Sequence, residues 1–211
     1  MNHDEKIATE TQHFIDVGFS LKGILSEEDR PGLRHAIHDF CAQHSIECPN
    51  LYVNNSSILT ISAFRDTGAT LFSTAILELP EIENRHLVAG FAHEQGHLQP
   101  DQHYIKFQDL FNHAGYASSK MRALFWQTLQ LTASYGIIDG HIIGLGAIAG
   151  AFWLSAAYNL RAIKYFQREE EYSADAHAAT LLKKPDDLIE LLAIVEQKQI
   201  EFLQKISPHI S

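Results

Sequence analysis

The chain has 211 residues, of which 45% are hydrophobic and 20% charged, enough apolar material to bury one core. Its net charge of -10 excludes the clustered cationic surface that nucleic acids select, so no nucleic-acid partner is expected. Cys41 and Cys48 are too few for a disulfide framework or a thiolate zinc site, and they read as ordinary thiols.

The start, MNHDEKIATETQHF, lacks the basic and apolar regions of a secretory signal. A cytoplasmic protein is expected, or a membrane-associated one with its site on the cytoplasmic side. From Leu33, the apolar residues Leu33, Ala36, Ile37, Phe40 and Cys41 recur with helical spacing and predict an amphipathic helix that packs on the core. Between Asn50 and Leu79 the runs LYVNN, ILTISAF and ATLFSTAIL are β-rich and broken by turn-like residues, which predicts two or three antiparallel strands. A helix is expected from Glu81 to Gln99, closed by Pro100. A long helical stretch from about Ser118 to Lys183, interrupted at Asp139-Gly140, and a final helix after Pro185 complete the reading.

The uncharged run Ile142 to Tyr158 is at the short limit for a membrane span and equally suits a buried helix. With glycines at 140, 144, 146 and 150, the stretch 122–158 is expected to mediate membrane association or a homodimer.

His93-Glu94-Gln95-Gly96-His97 falls inside the predicted 81–99 helix. Two histidines four residues apart share a helix face and can bind one zinc ion, with Glu94 beside them to take a proton from an attacking water. The apolar Leu87, Val88, Phe91 and Ala92 anchor this helix in a core, where an unpaired His and Glu would cost a few kcal/mol without a metal.

Two residues compete as third ligand. His103 reproduces the long metzincin spacing, but Pro100 stands where that pattern needs a glycine turn, and Met121 is a poor match to a Met-turn. The alternative is Glu171 in Arg168-Glu169-Glu170-Glu171-Tyr172-Ser173-Ala174-Asp175. On a helix it shares a face with Ala174, Asp175 and Ala178, small enough to lie close against the HEQGH helix, whereas Glu169 and Glu170 point elsewhere into solvent. Asp175, one turn on, is placed to orient a zinc-bound imidazole.

These residues resemble the gluzincin metallopeptidases of the HtpX and CAAX prenyl protease group. That group shows HExGH followed by Glu-x-x-x-Asp with Ala before the Asp; His93, Glu94, Gly96, His97, Glu171, Ala174 and Asp175 all match. Arg168 and Tyr172 agree further with the HtpX pattern, Gln167 replaces its Ser, and Ser62-Ala63-Phe64 is similar to its Asn-Ala-Phe strand. The resemblance covers about Leu51 to Ala179 and lacks the amino-terminal membrane spans typical of HtpX.

The resulting expectation is an α+β, mainly helical fold: a small antiparallel sheet packed on the site helix, and a long helical hairpin carrying the third ligand. One metallopeptidase domain spans 1–211, with an amino-terminal helical part (1–49), a catalytic core (50–183) and a carboxy-terminal helix (184–211). It hydrolyses peptide bonds of a peptide or protein substrate with one Zn2+ ion held by His93, His97 and Glu171, Glu94 as base and Asp175 behind the ligands. The competing expectation is an inactive metal-binding protein, or a helical membrane or scaffold protein. Spacing places no oxyanion-stabilising residue, and Arg168 reads as an ion-pair partner.

Overall fold

The computed structural model describes residues 3–99, 161, 164, 165 and 167–206. The chain divides into two compact units, Met1–Gln99 with Ser173–Ser211, and Pro100–Tyr172. In the second unit the described residues are helical. The 118–160 stretch, with the 122–158 segment, lies outside the described residues, as do Pro100, His103 and Met121. Among the described residues no helix is long and apolar enough to cross a membrane.

The first unit contains helices α1 (His3–Asp16), α2 (Leu33–His44), α3 (Thr74–Leu77) and α4 (Asn84–Leu98) and strands β1 (Leu21–Ile24), β2 (Leu51–Asn54), β3 (Ile61–Ala63) and β4 (Thr70–Ser73). Helix α5 covers residues 167–181, and α6 is Asp186–Ile206. The class is α+β, mainly helical, as the sequence predicts. The sheet has the order β1-β2-β4-β3 and is mixed where an antiparallel one was expected, because β2 and β4 run parallel.

The chain order explains this. After β2 the chain crosses to the far edge, forms β3, and returns antiparallel as β4, inserted beside β2. The return turns on Gly68, at φ 70°, whose N–H donates to the Phe64 carbonyl. Strand β1, within the part expected to be helical, pairs antiparallel with β2. Its Lys22 and Gly23 break the apolar signal, and the register shifts at Gly23.

All four residues of β2 and of β4 are buried, as in strands covered on both faces. Alternation sends Leu51 and Val53 into the main core with Phe72, Leu33, Ile37, Leu87 and Phe91. Tyr52 and Leu71 point the other way, against Phe14 of α1, ringed by Phe19 and Phe64. The Tyr52 hydroxyl donates to the buried Glu10 carboxylate of α1 at 2.8 Å, so that polar atoms on this face are paired.

Helix α2 matches its predicted stripe, with Leu33, Ile37, Phe40 and Cys41 buried; Cys41 and Cys48 are free thiols. Helix α4 packs against α2, β3 and α6. Its first turn is pinned by Arg30, which donates to the carbonyls of Leu77 and Ile82 and to the Asn84 side chain. At its far end Gln99 is extended, at φ -65° and ψ 138°, the geometry forced on a residue before proline.

Candidate metal centre

Helix α4 carries the HEQGH segment between two close approaches. A Cβ on Gly90 would meet Ile61 Cδ1 at 2.6 Å and Leu191 Cδ2 at 2.8 Å, so this face lies against β3 and α6. A Cβ on Gly96 would meet the Ala174 backbone, with Cα at 2.6 Å and the carbonyl oxygen at 2.9 Å. Ala174 and Ala178 are buried, as their small size and spacing predict. Backbone contact with α5 at Gly96 sets how deeply that helix seats.

This seating brings Asp175 to His93. Asp175 Oδ1 lies 2.8 Å from His93 Nδ1, with the imidazole mostly buried and the carboxylate half exposed. A carboxylate only accepts, so Nδ1 carries the hydrogen and Nε2 becomes the lone-pair nitrogen of the neutral ring. His93 Nε2 and His97 Nε2 converge to 3.1 Å, with the rings nearly perpendicular at 82°. Two imidazole nitrogens sharing one tetrahedral zinc at about 2.0–2.1 Å stand roughly 3.3 Å apart, so this pair fits such an ion.

Glu94 is held from the sheet. Its Oε2 accepts the Ala63 N–H of β3 at 2.8 Å. Strand β3 is the last strand of the sheet, paired on one side with β4. Arg65, just beyond β3, donates from Nε to the His97 carbonyl at 2.5 Å, binding the strand end to the last turn of α4. Neither contact was anticipated. Ala63 acts through its main chain, which leaves no residue-type signature, and the partner of Arg65 is a carbonyl 32 residues away.

Glu171 stands one turn before Asp175 on α5 and is exposed. Glu169 and Glu170, expected in solvent, are half-buried. Arg168 is exposed. A pocket of about 160 Å³ opens beside His93 and Glu94, its wall otherwise made mostly of aliphatic side chains from the Leu59–Ile61 segment and α6.

A second group, His86, Asp187 and Glu190, is also compact enough for a cation. Its chemistry is different. The Glu83 N–H donates to His86 Nδ1, so Nε2 carries the hydrogen and donates to Glu190 at 3.0 Å. Arg85 already pairs with both carboxylates, reaching Glu190 at 2.7 Å. The positive charge is supplied by the chain itself, and the group is an ion-pair clasp between α4 and α6.

No curated protein matches the chain. The model of peptidase family M48 matches residues 33–205, which takes in α2 to α6 and every residue of the His93 site. On that match the chain belongs to peptidase family M48, a family of zinc metallopeptidases.

Proposed function

We propose that the chain is a zinc-dependent endopeptidase of the HtpX and CAAX prenyl protease type. In this reading His93, His97 and Glu171 hold one zinc ion, Glu94 is the general base and Asp175 orients His93. The observation that carries it is the convergence of the two Nε2 atoms with His93 held from behind by Asp175. Glu171 enters because α5 is continuous from it to Asp175, which places its carboxylate one turn along the same face.

Zinc held there supplies Lewis-acid polarisation of the scissile carbonyl and of the attacking water. Glu94 takes the proton of that water and passes it to the leaving amine. The Ala63 N–H holds the Glu94 carboxylate through Oε2. Asp175 keeps the hydrogen of His93 on Nδ1 and so directs Nε2 to the ion. An extended peptide adds to the outer edge of β3, beside Glu94, by main-chain hydrogen bonds.

Metal analysis of the purified protein is expected to give one zinc per chain. Glu94→Gln is expected to retain zinc and lower hydrolysis of a quenched peptide at least ~100-fold, because an amide cannot take the proton. A zinc-free protein, or equal turnover by mutant and wild type, sinks the proposal.

A further inference from the structure

The pocket beside His93 and Glu94 does not end the apolar surface. Leu59 in its wall also lines a second hollow of about 410 Å³, formed by Ile58, Phe202 and Leu203. These three side chains are 67%, 57% and 63% exposed. Lys198, at the side of this hollow, has its ammonium drawn to Glu81 at 2.7 Å and Glu201 at 3.5 Å, so its methylenes extend the apolar wall. Large apolar residues left clustered and exposed mark an interaction surface.

We propose that this trough is an extended substrate-binding surface. It selects peptides with two apolar side chains: one in the pocket beside Glu94, and a second about three residues away on Ile58, Phe202 and Leu203. The inference rests on the peptidase reading and adds a substrate class to it. The spacing follows from α6, where Val195 lines the first pocket and Phe202 the second. Seven helical residues rise about 10 Å, the span of roughly three residues of extended peptide.

Volume admits the near anchor. A cavity of about 150 Å³ lined by aliphatic groups accepts a benzene ring, so a 160 Å³ pocket is large enough for a Leu, Ile, Met or Phe side chain. A polypeptide occupant is favoured over lipid because the trough runs into His93 and Glu94. A polypeptide lying in the trough brings a scissile bond to those groups; an acyl tail carries none.

The test uses full-length Glu94→Gln protein loaded with zinc and fluorescent decapeptides of Gly, Ser and Thr. These carry two leucines three residues apart, either leucine alone, or none. The two-leucine peptide is expected to bind about tenfold tighter than either single-leucine peptide, the gain of burying one more leucine. Phe202→Ser is expected to cancel only the advantage of one leucine, and Leu192→Ser only that of the other; double-mutant cycles read this coupling. Both positions are more than half exposed, at 57% and 51%, and circular dichroism checks their fold.

Equal affinities across the peptides, or no coupling with Phe202, overturns the inference. Loss of binding to phosphatidylcholine vesicles in Phe202→Ser, with unchanged peptide affinity, overturns it in favour of a lipid surface. Wild-type protein without zinc or turnover overturns the peptidase reading, while peptide binding still reports on the trough. Turnover that is indifferent to the two leucines overturns the trough alone.

Discussion

A methyl group at position 96 would sit 2.6 Å from Ala174 Cα, and the three atoms nearest to it are all backbone. On an isolated helix Gly96→Ala would stabilise by about 1 kcal/mol, since Ala is the better helix former. Here α5 has to move, and such overpacking costs about 1–3 kcal/mol. The clash wins. Gly96→Ala is expected to lower the thermal midpoint by about 2–4 °C, and by shifting Asp175 from His93 to weaken zinc binding about tenfold. Calorimetry and chelator competition measure both; a raised midpoint with zinc affinity intact would show that the contact is not tight. The pairing of Asp175 with a histidine was legible in the sequence, because both spacings fix helix faces. The Ala63 N–H on Glu94 was not, because a main-chain donor is the same for every residue except proline.

At the scale of the element, α5 presents three consecutive glutamates, and its phase distinguishes them. Ala174 and Ala178 are buried, and Glu171, three residues before Ala174, shares their face of the helix. Among Glu169, Glu170, Glu171 and His103, only Glu171→Ala is expected to weaken zinc binding greatly. Asp175→Ala should give an intermediate loss of about 10- to 100-fold, as for an imidazole that keeps the ion but loses its orienting partner. Titration against a competing chelator ranks the variants. Should His103→Ala strip the metal while Glu171→Ala retains it, the metzincin-like ligand set replaces this one. Helices α2, α4 and α6 were legible because each shows an apolar stripe to one core. The parallel pairing of β2 and β4 was not: strand direction depends on the route taken by β3, which periodicity does not encode. Strand β1 was hidden by its lysine and glycine.

For the whole molecule, stability should fall in two steps as pH is lowered. Burial depresses the pKa of His177 below its ordinary 6.5. Below that pH the unfolded chain takes up a proton that the folded chain resists, so stability is full above 6.5 and declines beneath it. Carboxylates set the second step. Glu190 is held below 4.5 by His86 and Arg85, and Glu81 by Lys198. Burial raises Asp29, but Lys22 and Ser26 outweigh it and leave it below 3.8. Depressed carboxylates contribute stability above their ordinary values and lose it as pH falls through the folded ones. Thermal midpoints are therefore expected to be level above pH 6.5, to decline gently toward pH 5, and to drop steeply below pH 4.5. His177→Gln should remove only the first step, and an unchanged profile in that variant would assign the decline to other groups.

The family pattern becomes readable at residue 33, yet the fold does not begin there. Phe14 and Leu25 are wholly buried, and among the described residues β1 is the strand that pairs with β2 on its outer side. A chain trimmed to the recognised stretch would bare Tyr52 and open a row of unsatisfied amides along β2, a template for strand-to-strand aggregation. Recognition by homology and autonomy in folding therefore have different borders in this protein, and the first thirty residues belong to the second.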